Sequence, residues 1–114
     1  MATSLTNFAS EGQLSASPSN MFSTNTSEKK FIGNLTLTNT SASNVEVYLW
    51  RIATTTTATT GSGGNWIERI TIPAGRTVRS SKLVGHVLGS SMRIQGQADT
   101  ASVINYDASG TTET

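Results

Sequence analysis

The chain has no cysteine, two prolines and no long apolar run in its 114 residues, and only 13% of them are charged. Without cysteine there is no disulfide framework, no thiolate zinc site and no thiol nucleophile. That absence fits synthesis in a reducing cytoplasm. Charge is about half as frequent as in an average domain, and eight basic against seven acidic side chains leave a net charge of +1. A nucleic-acid surface must meet many phosphates, and a polybasic anchor must cluster its lysines and arginines. Neither nucleic acid nor membrane is therefore expected as a partner. No segment approaches the roughly 20 apolar residues of a membrane span. Met1 to Ser10 has no basic n-region and no apolar h-region, so no signal peptide is expected.

Chemistry-bearing residues are equally sparse. His86 is the only histidine. A catalytic triad needs a base beside its nucleophile, and a metal site needs histidine with clustered carboxylates. The acids Glu11, Glu28, Glu46, Glu68, Asp99, Asp107 and Glu113 are instead scattered singly. Two distant acids can still meet in space as a glycosidase pair, but lone acids more often solubilise rims and loops. No enzyme, cofactor or metal is expected. Gly61-Ser62-Gly63-Gly64 reads as a loop tip. A phosphate loop would need a following Lys-Ser/Thr and a helix, and Asn65-Trp66 leads into a strand. The Asn-x-Ser/Thr triplets at Asn25, Asn34 and Asn39 are expected by chance in a chain so rich in Ser and Thr.

What is abundant is Ser, Thr, Asn and Gly. Thr is β-branched and suits a pleated surface, while the others suit turns. Disorder is the rival reading of such a composition, but disorder lacks regular apolar alternation. Alternation is clearest from Phe31 to Ile52. Phe31, Gly33, Leu35 and Leu37 share one face, and Val45, Val47 and Leu49 share another. The polar turn Asn39–Asn44 joins the two strands. The odd-numbered residues are expected to build the core.

Around this pair the chain divides into an N-terminal arm (1–10), a β-domain (11–106) and a polar C-terminal tail (107–114). The arm is either flexible or reaches a neighbouring subunit through Leu5 and Phe8. Short strands are expected at residues 11–16, before the break at Pro18, and at 20–24. Thr54–Thr57 can extend the strand that ends near Ile52. Trp66–Ile72 is a strand with Ile70 and Ile72 inward, where either Glu68 sits near the rim or the alternation slips at it. Pro73-Ala74-Gly75 is a tight turn, and residues 76–81 form a basic edge strand. Leu83, Val84, Val87 and Leu88 fit a single turn or an apolar loop that plugs the core, since Gly85 and Gly89 weaken a helix. Strands at 92–98 and 102–106 complete about eight, an all-β antiparallel β-sandwich or jelly roll.

Tyr48, Trp50 and Trp66 fall off or at the edge of the inner face. Such a cluster can stack on sugar rings or anchor an interface; burial, within the domain or against another subunit, is the favoured reading. Arg51 and Arg69 flank it, as interchain hydrogen-bond donors or as a solvated rim.

Several of these motifs together resemble a family of small tailed-bacteriophage virion proteins. Gly12-Gln13-Leu14, Met21-Phe22-Ser23-Thr24 and Phe31 to Ser41 match its early strands. Val45-Glu46-Val47-Tyr48-Leu49 matches its "V-x-V-Y-L" strand and Ile70-Thr71-Ile72-Pro73-Ala74-Gly75 its "I-x-I-P-A-G" turn. Ser91, Ile94 and Ala98 match its ending. Asn25-Thr26-Ser27 departs from the family's "V-P-A", and the Thr-rich stretch 53–65 looks like an individual insertion. The resemblance spans roughly residues 12–106 and implies a β-sandwich structural component with no catalytic residues. Within that class the expectation is a capsid decoration or cement protein, a homotrimer that bridges neighbouring major capsid proteins in a virion assembled in the bacterial cytoplasm. A tail, baseplate or fibre component and a carbohydrate-binding module are the alternatives. The interface candidates are Leu5, Phe8, Tyr48, Trp50, Arg51, Trp66 and Arg69.

Overall fold

Alternating apolar and polar side chains build nine strands in the computed structural model, which describes residues 2–61 and 63–114. They are β1 (Thr3–Gln13), β2 (Ser19–Ser23), β3 (Lys29–Asn39), β4 (Val45–Ala53), β5 (Glu68–Ile72), β6 (Thr77–Arg79), β7 (Val87–Leu88), β8 (Met92–Ala98) and β9 (Ile104–Glu113). All pair antiparallel, in two sheets. One runs β1-β9-β3-β6, with β7 also on β3; the other runs β2-β8-β4-β5. The sheets enclose a single core as a β-sandwich, in which Leu35, Leu37, Val47, Leu49, Ile94 and Ile104 are fully buried. Each such side chain contributes about 1.5–3 kcal/mol through burial.

The strands of the Phe31–Ile52 segment do not form a hairpin. β3 lies in one sheet and β4 in the other, so the turn between them is an arch over the end of the core. Asn39 explains why the chain crosses there. It is fully buried, and its Nδ2 donates to the carbonyls of Ser43 (2.8 Å) and Ile72 (2.9 Å). Its Oδ1 accepts from the Ser41 amide (2.9 Å) and hydroxyl (2.7 Å). Every donor and acceptor site of the amide is thus used, and one of its bonds links β3 to β5 across the sandwich.

Leu35, Leu37, Val45, Val47 and Leu49 point inward as their spacing predicts. Phe31 and Gly33 do not. The β3–β9 register runs Phe31↔Thr111, Ile32↔Gly110, then Asn34↔Ser109, so Gly33 is an extra residue. This bulge reverses the alternation on its N-terminal side. Ile32 enters the core and Phe31 turns outward, 45% exposed.

The polar ends are not a loose arm and tail. Residues 3–10 lie in β1, residues 107–113 lie in β9, and the two pair from Thr3↔Glu113 to Gln13↔Asn105. Ala2 and Thr114 exchange both backbone bonds (3.1 and 2.9 Å). Met1 and Ser62, parts of the expected arm and loop tip, lie outside the described residues. From Thr3 to Asn7 no side chain is buried, which is why this stretch shows no apolar alternation to mark a strand. Further along β1, Gly12 is required by close approach: a Cβ there would fall on the ring of Tyr106. Burial raises the phenol of Tyr106 above its usual pKa.

Thr54–Thr56 turn instead of extending β4. Pro73–Gly75 forms the expected turn, with the Arg76 amide donating to the Pro73 carbonyl (3.1 Å) and Gly75 at φ +69°. β6 is an edge strand. Residues 81–85 are turns, and Leu83 and Leu88 plug the core. Glu68 is not at the rim. It is buried, and its carboxylate accepts from the Ser80 hydroxyl (2.6 Å), the Ser81 hydroxyl (3.0 Å) and the Ser81 amide (3.3 Å).

Candidate interaction surfaces

On β4 the side chains that alternate with Val47 and Leu49 face outward from the core. Register sets Tyr48 opposite Arg69 on β5, and the loop from residue 54 to 67 brings Trp66 to the same place. Tyr48 stacks on Trp50 (centroids 6.1 Å, planes 26° apart) and meets Trp66 edge-on (5.7 Å, 70°). The guanidinium of Arg69 lies 5.8 Å from the centre of the Tyr48 ring and bonds Glu46 at 2.8 Å. The Arg69 hydrogen bond holds the Glu46 carboxyl below its usual range.

Four of the expected interface residues therefore do come together, but the chain itself covers the central one. Trp50 has no exposed surface, and its indole N–H donates to the Thr59 carbonyl (3.1 Å). Asn65 holds the covering loop closed. Its Oδ1 accepts from the Thr59 amide (2.8 Å) and hydroxyl (3.0 Å), and its Nδ2 donates to the Thr57 carbonyl (3.0 Å). Gly61 and Gly63, at φ +85° and +80°, allow the sharp return of the loop. Trp50 is accordingly closed off by its own chain, while Tyr48 and Trp66 stay half-buried and meet edge-on.

Two other candidates are used within the chain. Arg51 donates through Nε (3.1 Å) and Nη2 (2.6 Å) to the Val87 carbonyl, tying the two sheets. Phe8 packs on Phe22 (5.1 Å) with the Lys30 ammonium 5.7 Å from its ring centre. Lys30 also bonds the Ser23 carbonyl (2.8 Å) and Glu28 (3.0 Å), and its bond lowers the pKa of the Glu28 carboxyl.

Leu5 remains, at 91% exposure, and it belongs to a surface that the strand pattern alone does not reveal. Leu5 pairs with Thr111, Thr111 with Phe31, and Phe31 with Val87. Residues paired directly across an antiparallel sheet point to the same face. These four therefore form one row across β1, β9, β3 and β7, on the side away from the core. Phe31 and Val87 are 45% and 48% exposed. The signal that locates Phe31 here is Gly33 as a bulge residue.

Among the described residues no three His, Cys, Asp or Glu side chains gather as a metal site. Comparison of the chain with protein-family models, curated proteins and solved structures found no match.

Proposed function

We propose that the protein is a non-enzymatic structural component of a bacteriophage particle, a decoration or cement protein that self-associates and binds the major capsid protein on the head. The observation that carries this reading is the winding of the strands. The sheet order β1-β9-β3-β6 over β2-β8-β4-β5 reads as a jelly roll, with β7 as a two-residue addition. Jelly rolls recur in viral capsid and lectin domains. The virion-like motifs map onto this scaffold: Val45–Leu49 is most of β4, and Ile70–Gly75 is the end of β5 with its turn. The exposed apolar row gives such a protein a surface to bury, and many weak contacts repeated by symmetry stabilise a shell.

Immunogold labelling of purified particles tests the proposal. Label distributed over the head is the expected result. Label confined to the tail replaces the cement reading with a tail or fibre component. Particles free of the protein overturn the virion reading.

A further inference from the structure

We propose that two copies of this chain pair through the free edge of β1, antiparallel about a two-fold axis passing by Leu5. The inference rests on the edge alone and stands whether or not the protein belongs to a virion.

The ladder decides which backbone groups are free. Ala2 exchanges both of its bonds with Thr114, and the register continues without a shift from Thr3↔Glu113 to Asn7↔Ser109. In an antiparallel strand the bonding direction alternates residue by residue. Ala2, Ser4 and Thr6 therefore face β9, while the N–H and C=O of Thr3, Leu5 and Asn7 face outward. Among the described residues these outward groups have no partner. A second β1 laid antiparallel, with Leu5 opposite the partner's Leu5, sets Thr3 opposite the partner's Asn7 and Asn7 opposite the partner's Thr3. Each of these pairs exchanges two backbone bonds. The edge is thus complementary to itself, which identifies the occupant as a second copy.

Nothing between Thr3 and Asn7 opposes this pairing. Proteins guard free edges with short strands, proline, charge or bulges. The other edges carry these devices. β6 has three residues, with Arg76 before it and Arg79 at its end; β2 has five and follows Pro18; β5 has five and contains Glu68 and Arg69. β1 has eleven residues, and residues 1–10 contain no proline and no charged side chain. Its first bulge comes only after Asn7. Pairing at Leu5 also joins the two outer rows, so that Leu5, Thr111, Phe31 and Val87 of each copy become one apolar strip across the joined sheet.

Such a contact is isologous and closes at two copies, in contrast to the trimer expected from the virion resemblance. Sedimentation velocity of the full chain over the micromolar range tests it. The expected species has twice the 12.0 kDa chain mass. Asn7→Pro removes a donor that no intrachain bond uses, once on each side of the axis, and is expected to weaken pairing about 30-fold. Leu5→Lys sets like charges opposite each other at a position 91% exposed and is expected to give monomer. Both variants should keep the wild-type circular dichroism, and Arg69→Gln on the other sheet should remain a dimer. In hydrogen exchange the Thr3, Leu5 and Asn7 amides should be protected in wild type and fast in Leu5→Lys. A wild-type monomer or trimer overturns the proposal. So does a dimer that both β1 variants leave intact.

Discussion

On the outer face of the β2-β8-β4-β5 sheet, Trp50 has no exposed surface and bonds the Thr59 carbonyl of the β4–β5 connection, while on the outer face of the other sheet Leu5, Phe31 and Val87 keep 91%, 45% and 48% of theirs. Both faces carry apolar side chains that the core does not absorb. The difference lies in the connections. The chain spends fourteen residues between β4 and β5, enough to fold back over Trp50, but only five between β1 and β2. One surplus is therefore sealed within the molecule, and the other is left open to solvent. The lesson is that an aromatic cluster on a strand marks an interface only if no neighbouring loop is long enough to cover it.

The sharpest way to break this comparison is Trp50→Ala. If the loop and Trp50 form a sealed second core, the substitution costs about 3–5 kcal/mol in chemical denaturation, as for other buried aromatics. A cost below about 1 kcal/mol would mean that the loop merely rests on the sheet. Asn65→Ala should cost about 1 kcal/mol by freeing the loop without removing the tryptophan. It should also shift tryptophan emission to longer wavelength as water reaches Trp50. On the open face, Leu5→Ser should change the stability of the dilute monomer by no more than about 0.5 kcal/mol, because the side chain buries almost nothing there.

The same contrast explains what the residues reveal in sequence. Leu35, Leu37, Val45, Val47 and Leu49 were legible because each alternates between a buried and a wet face. The period of two says nothing about which sheet a strand joins, so the polar turn at Asn39–Asn44 does not reveal in sequence that it crosses from one sheet to the other. The ends of β1 and β9 were illegible because neither face is buried between Thr3 and Asn7. Gly33 shifted Phe31 outward, and a lone glycine carries that information only when the partner strand is known. Of the aromatic cluster, the grouping of Tyr48, Trp50, Trp66 and Arg69 was legible from alternation and strand proximity. Its closure was not, because the Thr-rich loop has no periodicity and is held by Asn65 and backbone bonds.

The smallest expected effect is electrostatic and belongs to the rim of the sealed face. Arg69 bonds Glu46 at 2.8 Å while it lies against Tyr48, and this bond holds the Glu46 carboxyl below its ordinary range. A carboxyl with a depressed folded pKa stabilises the protein above its unfolded pKa, and that contribution is lost as pH falls through the folded value. The pair is solvent-exposed and screened by salt, so the change in unfolding stability should be the least of the four. A carbon-13 NMR titration of the Glu46 carboxyl resolves it more directly. The midpoint should lie below the ordinary glutamate range in wild type and return to it in Arg69→Gln. If the midpoint does not move, Arg69 is held over Tyr48 by the ring rather than by the acid, and the rim of the closed face is organised by its aromatics alone.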